Sequence, residues 1–188
     1  KKYKPQDLPA LALGIALSEG ILDHASDCRS IEVQVVTDHV AGMPDGVHGI
    51  EVLLEISPRS FARLKDRRRS LAGRTGCGVC GVESFAALDL SFPPLAHQPW
   101  AAQIGLTQVL HALQQLADKQ LLSAQCGGLH AAGWCSVDGT LLAVFEDVGR
   151  HNALDKLMGS LARKGGLQAP GFVILSSRGS HELVRKCA

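Results

Sequence analysis

The 188-residue chain has few aromatic residues, almost no net charge and no long apolar run. Because aromatic residues make up only 4% of the sequence, aliphatic side chains must supply most of the core. The formal charge of +1 gives no electrostatic reason to expect a nucleic-acid partner or a membrane surface. No apolar run approaches the roughly 20 residues of a membrane span, and no signal peptide is recognisable. These absences predict a soluble cytoplasmic protein that has either one domain with a sizeable core or one large lobe and a small one.

Six cysteines are present, too few for a disulfide scaffold in a chain of this length but compatible with reactive or metal-bound thiols. Two of them stand close together in the segment Arg-Thr-Gly-Cys-Gly-Val-Cys-Gly at 74–81. Glycines flank both Cys77 and Cys80 and leave their sulfurs unshielded by neighbouring side chains. Arg74 adds a nearby cation, which favours the thiolate over the thiol. This CxxC segment is the first candidate for chemistry.

The CxxC pair has four interpretations. A structural zinc site would need two further ligands, which Cys126, His130 and Cys135 could supply at an unusual spacing. A thioredoxin-like redox pair would follow a strand, whereas the element predicted upstream is a helix. Incidental loop cysteines are the third interpretation. The fourth, which the flanking glycines favour, is a nucleophilic thiolate that carries sulfur as a persulfide, with the second cysteine sharing or resolving the cargo.

Apolar periodicity predicts a layered α/β fold in which helices flank a mixed sheet. In the first half, the predicted elements are a helix at 8–15 with Leu8, Leu11, Ala12 and Ile15 on its apolar face, strands at 31–35 and 50–56, and a helix that begins at Ser57-Pro58 with Phe61 and Leu64 on its apolar face. In the second half they are a helix at about 101–118, a hairpin of 129–135 and 141–146, a helix with apolar residues from Ala153 to Leu161, a strand at 172–175 and a last helix. The helix at 101–118 has a predicted buried stripe of Leu106, Val109, Leu110, Leu113 and Ala117.

Two of the predicted strands end in polar residues that could bind an anion. Each strand is followed by a turn with one arginine and then by a helix start, where free backbone N–H groups attract phosphate. Because α/β proteins place ligands at strand ends, neighbouring turns of this kind would form a phosphate-binding floor. Plain helix capping by Asp147 is the alternative. The residues predicted for this floor are Asp147, Arg150, His151, Ser176, Ser177 and Arg178, with His130 of the hairpin as a further candidate.

Four motifs in this order resemble the formate dehydrogenase accessory sulfurtransferase family (FdhD). They are the CxxC segment at 74–81, His-Ala-Ala-Gly-Trp at 130–134, Glu-Asp-Val-Gly-Arg-His-Asn-Ala-Leu-Asp-Lys at 146–156 and Leu-Ser-Ser-Arg at 175–178. The resemblance extends over nearly the whole chain.

This resemblance implies a cytoplasmic sulfurtransferase. It would accept sulfur from a cysteine desulfurase as a persulfide on Cys77, with Cys80 as the partner thiol. It would pass the sulfur to the guanine-dinucleotide molybdenum cofactor of formate dehydrogenase, bound as a substrate, whose guanine nucleotide phosphates would lie on the floor. A zinc-stabilised binding module built on the CxxC pair is the alternative. No permanently bound metal, nucleic acid or membrane is expected, and the family predicts a homodimer.

The resemblance also implies a fold related to the cytidine deaminases. The segment 176–180 lacks the Cys-x-x-Cys of the deaminase zinc site, so that metal site is expected to be absent. We therefore predict a cytidine-deaminase-like domain at 76–188 and a small helix-strand-strand-helix lobe at 1–75. The family continues beyond Ala188 with a cofactor-binding motif, so the second domain is expected to be incomplete at its carboxyl end.

Overall fold

A computed structural model describes residues 7–36, 48–67 and 95–188. The elements in chain order are α1 (Leu8–Ser18), β1 (Cys28–Val36), β2 (Gly49–Ile56), α2 (Pro58–Arg67), α3 (Leu106–Lys119), α4 (Ser123–Cys126), β3 (His130–Cys135), β4 (Leu141–Asp147), α5 (Arg150–Arg163), β5 (Phe172–Leu175) and α6 (His181–Cys187). None of the helices in these ranges is long and apolar enough to cross a bilayer.

The described strands form two small sheets. β1 and β2 make an antiparallel ribbon, and β3 lies between β4 and β5 in a three-stranded sheet. The α/β class is confirmed, but both ladders of the three-stranded sheet are antiparallel, so the predicted mixed sheet is wrong for these strands. The reason is the connection: α5 carries the chain from β4 across β3 to its other edge, so β4 and β5 run parallel to each other without pairing.

The β3–β4 hairpin is built around a turn whose residues suit it. Gly139 has φ +88°, a left-handed conformation that glycine adopts without steric cost. The Asp138 carboxylate accepts a hydrogen bond from the Thr140 N–H at 3.1 Å. The hairpin predicted from Asp138-Gly139 is therefore confirmed.

Alternation along β3 divides the core into two layers. Ala131 and Cys135 face α3 in one buried cluster with Ala112, Leu116 and Ile174. Ala132 faces the other way, in a cluster with Ala153, Leu154, Leu157 and Leu183 from α5 and α6. The sheet is thus covered on both faces by helices, as the layered prediction requires.

The amino-terminal helix packs directly on α5. A Cβ at Gly14 would overlap the Asp155 carbonyl, and one at Gly159 would overlap the Ala10 carbonyl, so the two backbones meet with no room for side chains. A third cluster around Leu13 joins α1 to the β1–β2 ribbon. The predicted boundary at 75/76 lies outside the described residues, and the division into two domains and the deaminase-like topology stay predictions.

The buried faces of three helices differ from those predicted. In α3, Leu106, Leu110 and Leu113 are exposed by 73%, 50% and 43%, whereas Ala112 and Leu116 are buried. The hairpin turn selects this face, because the Gln115 side chain donates to the Gly139 carbonyl at 2.9 Å and accepts from the Leu141 N–H at 3.1 Å. In α2, Phe61 is exposed and Ser60 is buried, and in α1 Ile15 is exposed while Ala10 and Leu13 are buried.

Candidate functional site

The two predicted polar turns lie at the same end of the three-stranded sheet. Asp147, the last residue of β4, pairs with His130, the first residue of β3. On the other side of β3, the Ser176 N–H donates to the Ala131 carbonyl at 3.0 Å directly after β5. Both turns therefore begin beside the start of β3, about 10 Å apart because one strand separates them. The structure brings the predicted floor residues together at this strand end, and ligand binding by them stays a prediction.

Asp147 lies behind the first turn, where its carboxylate is fully engaged. Its Oδ2 lies 2.7 Å from the Lys156 Nζ, and its Oδ1 accepts hydrogen bonds from the Gly149 N–H at 2.9 Å and the Asn152 amide at 3.1 Å. Burial alone raises the pKa of Asp147, but these hydrogen bonds outweigh burial and hold the pKa below its usual range. Since both oxygens bind within the protein, we place Asp147 behind the site and not among its direct contacts. It orients the turn and does not cap a helical N–H.

The last two residues of β4 are fixed by further contacts. The Lys156 ammonium donates to the Glu146 carbonyl at 3.1 Å, and Lys156 is only 4% exposed. The Glu146 carboxylate accepts from the Leu122 and Ser123 N–H groups, both at 2.8 Å, and so caps the start of α4. These contacts make the strand end a rigid base for the turn.

Arg150 and Arg178 project from this base as the candidate anion ligands. Arg150 is half-buried and Arg178 is exposed. Within the described residues, neither guanidinium has an ion pair or hydrogen bond. No side chain caps the start of α5, so its first backbone N–H groups are available to a ligand. The start of α6 differs, because the Ser180 hydroxyl accepts from the Leu183 N–H at 3.3 Å.

His151 links the two helix starts. Its Nε2 lies 3.1 Å from the Glu182 Oε2, but the orientation is not that of a hydrogen bond, and this buried nitrogen has none. Burial lowers the pKa of His151 below its ordinary value, and Arg150 and Lys186 act in the same direction, while the Glu182 carboxylate opposes them. At neutral pH the imidazole is therefore uncharged, and Arg150 and Arg178 must supply the positive charge for an anion.

Replacing Glu182 with glutamine should lower the pKa of His151 further. The carboxylate stabilises the imidazolium, and its removal leaves only the smaller effect of the Asp155 carboxylate to oppose burial and the two cations. A pH titration of the His151 ring signals by NMR, in wild type and in the Glu182→Gln variant, checks this. An unchanged or raised pKa of His151 would contradict the assignment.

The remaining floor residues have less direct roles. The Ser176 Oγ accepts from the Ala131 N–H at 2.8 Å, which fixes the end of β5, although its own proton stays available to a ligand. The Ser177 Oγ donates to the Arg178 carbonyl at 3.3 Å. His130 is half-buried at the start of β3, and its contribution to binding stays a prediction.

The structure describes only some of the cysteines predicted to carry chemistry. Cys77 and Cys80 lie outside the described residues. Cys135 is fully buried among apolar residues, and burial raises the pKa of its thiol to about 11. His130 and Cys135 stand at opposite ends of β3, about 16 Å apart, so they cannot bind one ion together. A zinc site that uses both His130 and Cys135 is therefore excluded, and one that combines the CxxC pair with Cys126 and either of them stays a prediction. The described ranges hold no group of three or more side chains that could bind a metal.

Three residues of this site were not predicted from the sequence. Lys156 and Asn152 hold Asp147, and Glu182 faces His151. For Lys156 a signal existed, because a lysine placed between Leu154 and Leu157 on an apolar helix face needs a buried partner. For Glu182 no sequence signal existed, since its contact depends on how α6 packs beside α5.

Comparison with known proteins supplies independent information. The model of the FdhD/NarQ family matches residues 3–188. Two similar relatives, each named "Sulfur carrier protein FdhD", come from Burkholderia mallei, 49% identical over 185 residues, and Chromobacterium violaceum, 51% identical over 184 residues. Each alignment covers 98% of this chain but only 65% and 64% of the relatives, so the chain spans less than two thirds of their length.

A solved structure is similar in fold. It is a crystal structure from Desulfotalea psychrophila of a protein described as a formate dehydrogenase accessory protein. The match has a TM-score of 0.59 and 23% sequence identity, and it covers 98% of this chain and 60% of that chain. At this identity the similarity establishes a shared fold.

Proposed function

Since the chain belongs to the FdhD/NarQ family, we propose that it is a sulfur carrier that serves formate dehydrogenase. The name shared by relatives at about half identity supports the carrier role, and the name of the structural relative points to formate dehydrogenase. In this proposal the protein works in the cytoplasm as a homodimer, and its sulfur donor is a cysteine desulfurase.

Sulfur would be loaded by thiol exchange on Cys77. The Cys77 thiolate attacks the outer sulfur of the desulfurase persulfide, and the desulfurase cysteine leaves as a thiolate. The product is a Cys77 persulfide, and no net oxidation occurs because one S–S bond forms as another breaks. Arg74 and the flanking glycines of the CxxC segment suit this step, since they favour an accessible thiolate.

Release of the sulfur would use Cys80. Its thiolate attacks the inner sulfur of the Cys77 persulfide, which forms a Cys77–Cys80 disulfide and releases hydrosulfide. Hydrosulfide and a proton then replace an oxygen ligand of the substrate's molybdenum, and that oxygen leaves as water. A cellular dithiol reduces the disulfide before the next cycle. The CxxC spacing serves this step because it keeps the resolving thiol within reach.

The substrate of this second step would be held at the strand end. The molybdenum cofactor in its guanine-dinucleotide form carries phosphates, and Arg150, Arg178 and the uncapped start of α5 are the donors suited to them. The single observation that supports this site is that two guanidinium groups without partners among the described residues stand at one end of the sheet. Ser176, Ser177 and His130 would supply further contacts at its edges.

Changing Arg150 to alanine should weaken the binding of GDP by about 10-fold or more. One charge-assisted phosphate contact contributes roughly 1.5–3 kcal/mol, and each 1.4 kcal/mol changes affinity about tenfold. Isothermal titration calorimetry with GDP measures the loss. Arg163→Ala is the matched control, because Arg163 lies at the opposite end of α5 and is exposed. If Arg150→Ala bound GDP within a factor of two of wild type, the strand-end site would be abandoned.

A further inference from the structure

The turn that presents Arg150 rests on a buried lysine. Lys156 and Asp147 form an ion pair whose side chains are only 5% and 2% exposed. The same ammonium binds the Glu146 carbonyl, so one group holds both the carboxylate and the backbone at the end of β4. Two charges in the core are costly to bury, and an apolar pair of similar size would pack here at no such cost. The pair therefore needs a reason beyond stability.

The hydrogen bonds that Asp147 accepts connect this ion pair to the start of α5. The Asp147 carboxylate that Lys156 holds accepts the Gly149 N–H, and Gly149 is the residue from which α5 begins. Asn152, in the first turn of α5, donates to the same oxygen. The chain between these two anchors contains Arg150 and His151. The direction in which the Arg150 side chain leaves the helix is thus fixed by a carboxylate that Lys156 in turn keeps in place.

We propose that Lys156 is a positioning residue for the anion site, acting through Asp147 and Gly149 on Arg150. The inference rests on the proposed function, because it concerns the same strand-end site. Lys156 does not contact the anion, being nine-tenths buried behind the turn. The low pKa of Asp147 agrees with this arrangement, since it keeps the carboxylate ionised throughout the physiological range.

A second buried pair offers a matched control. Asp155 and Lys186 lie on α5 and α6, with contacts of 3.0 and 2.9 Å and side chains 3% and 7% exposed. The Asp155 carboxylate of this pair also accepts from the Ser18 hydroxyl at 2.8 Å, so the pair ties α1 and α6 to α5 one helical turn beyond His151, without a hydrogen bond to Asp147, Gly149 or Asn152. Removing it takes two buried charges from the core, as removal of the pair at the turn does, without moving Arg150.

The experiment measures GDP affinity by calorimetry in folded variants. The test variant is Asp147→Asn with Lys156→Met, which removes both charges and so leaves neither one alone in the core. The control variant is Asp155→Asn with Lys186→Met. We expect about a 10-fold loss of GDP affinity in the test variant and less than a twofold change in the control, as for loss of one guanidinium contact.

A double-mutant cycle with Arg150→Ala separates positioning from general destabilisation. In wild type, Arg150→Ala should weaken GDP binding about 10-fold. In the Asp147/Lys156 variant the same change should weaken GDP binding less than twofold, because the arginine is already misplaced there. A purely structural role would leave the cost equal in both backgrounds. Asn152→Ala, which removes one hydrogen bond to Asp147 without exposing a buried charge, repeats the cycle should the charge variants not fold.

Each result decides the inference. Equal costs of Arg150→Ala in both backgrounds, with wild type binding GDP, would overturn the role of Lys156 alone and leave the anion site standing. Absence of GDP binding by wild type would overturn the anion site and this role together. A reduced cost, with the Asp155/Lys186 control unchanged, is the result that supports it.

Discussion

Replacing Cys77 with alanine is expected to abolish sulfur loading. After incubation with a cysteine desulfurase and free cysteine, wild type should gain about 32 Da, the mass of one sulfur held as a persulfide. The Cys77→Ala variant should gain nothing, because the proposed exchange needs a thiolate at this position. Intact-protein mass spectrometry under non-reducing conditions measures the adduct, and peptide mapping locates it.

Two controls make this result specific. Cys80→Ala should load sulfur but fail to release it, since the resolving thiol is missing, so its adduct should persist with a molybdenum cofactor acceptor. Cys126→Ala removes an exposed thiol outside the CxxC segment and should behave as wild type. Loading that persists in Cys77→Ala and disappears only in Cys80→Ala would move the role to Cys80. Stoichiometric zinc with unfolding on chelation would favour the binding module instead.

Local signals in the sequence predicted much of the second half of the fold. Asp138-Gly139 determined the hairpin, because few dipeptides suit its turn. The Ala153–Leu161 periodicity predicted α5 correctly, and the apolar run at 172–175 predicted β5. Both elements pack in the buried core, so their apolar patterns match the faces that they bury. The sequence did not determine whether neighbouring strands pair parallel or antiparallel. That direction depends on which strand lies beside which, and hence on where the intervening helix crosses the sheet.

The buried faces of α1 and α3 could not be predicted, for two different reasons. In α1 almost every residue is apolar, so periodicity contains little information and the small residues Ala10 and Gly14 decide which side meets α5. In α3 leucines occupy a face that the described residues leave exposed, while Gln115 anchors the opposite face to the hairpin. A polar anchor that outweighs an apolar stripe is a tertiary effect, and no local pattern reveals it.

The sequence predicted which residues form the candidate site but not which of them contact one another. The motifs at 146–156 and 175–178 indicated the strand ends, and the structure brings them to one end of the sheet. Asp147 was predicted as a ligand contact, but in the structure its carboxylate holds the turn in place from behind the site, through Gly149, Asn152 and Lys156. Whether Asp147 contacts a ligand or supports the turn depends on whether the Lys156 side chain points inward to bind it. The position of Lys156 in the sequence allows this contact but does not predict it.

The largest effect on stability is expected from substitutions in the contact between α1 and α5. Gly159→Ala would place a methyl group on the Ala10 carbonyl, and Gly14→Ala would place one on the Asp155 carbonyl. Both obstacles are backbone atoms, which cannot rotate away, so the helices must separate and lose the packing around Leu13 and Leu157. We expect each change to lower the free energy of unfolding by roughly 3 kcal/mol or more, although alanine favours helix by about 1 kcal/mol.

Chemical denaturation followed by circular dichroism measures these losses, with Gly166→Ala as the matched control. A Cβ at Gly166 would meet the Leu161 side chain at 3.5 Å, an ordinary contact, so this variant should remain within about 0.5 kcal/mol of wild type. Because α5 also presents Arg150, the Gly159→Ala variant should lose GDP affinity only to the extent that it unfolds. If Gly159→Ala and Gly14→Ala were as stable as Gly166→Ala, the close approach of α1 to α5 would be wrong, and α1 would not belong to the layer that supports the strand-end site.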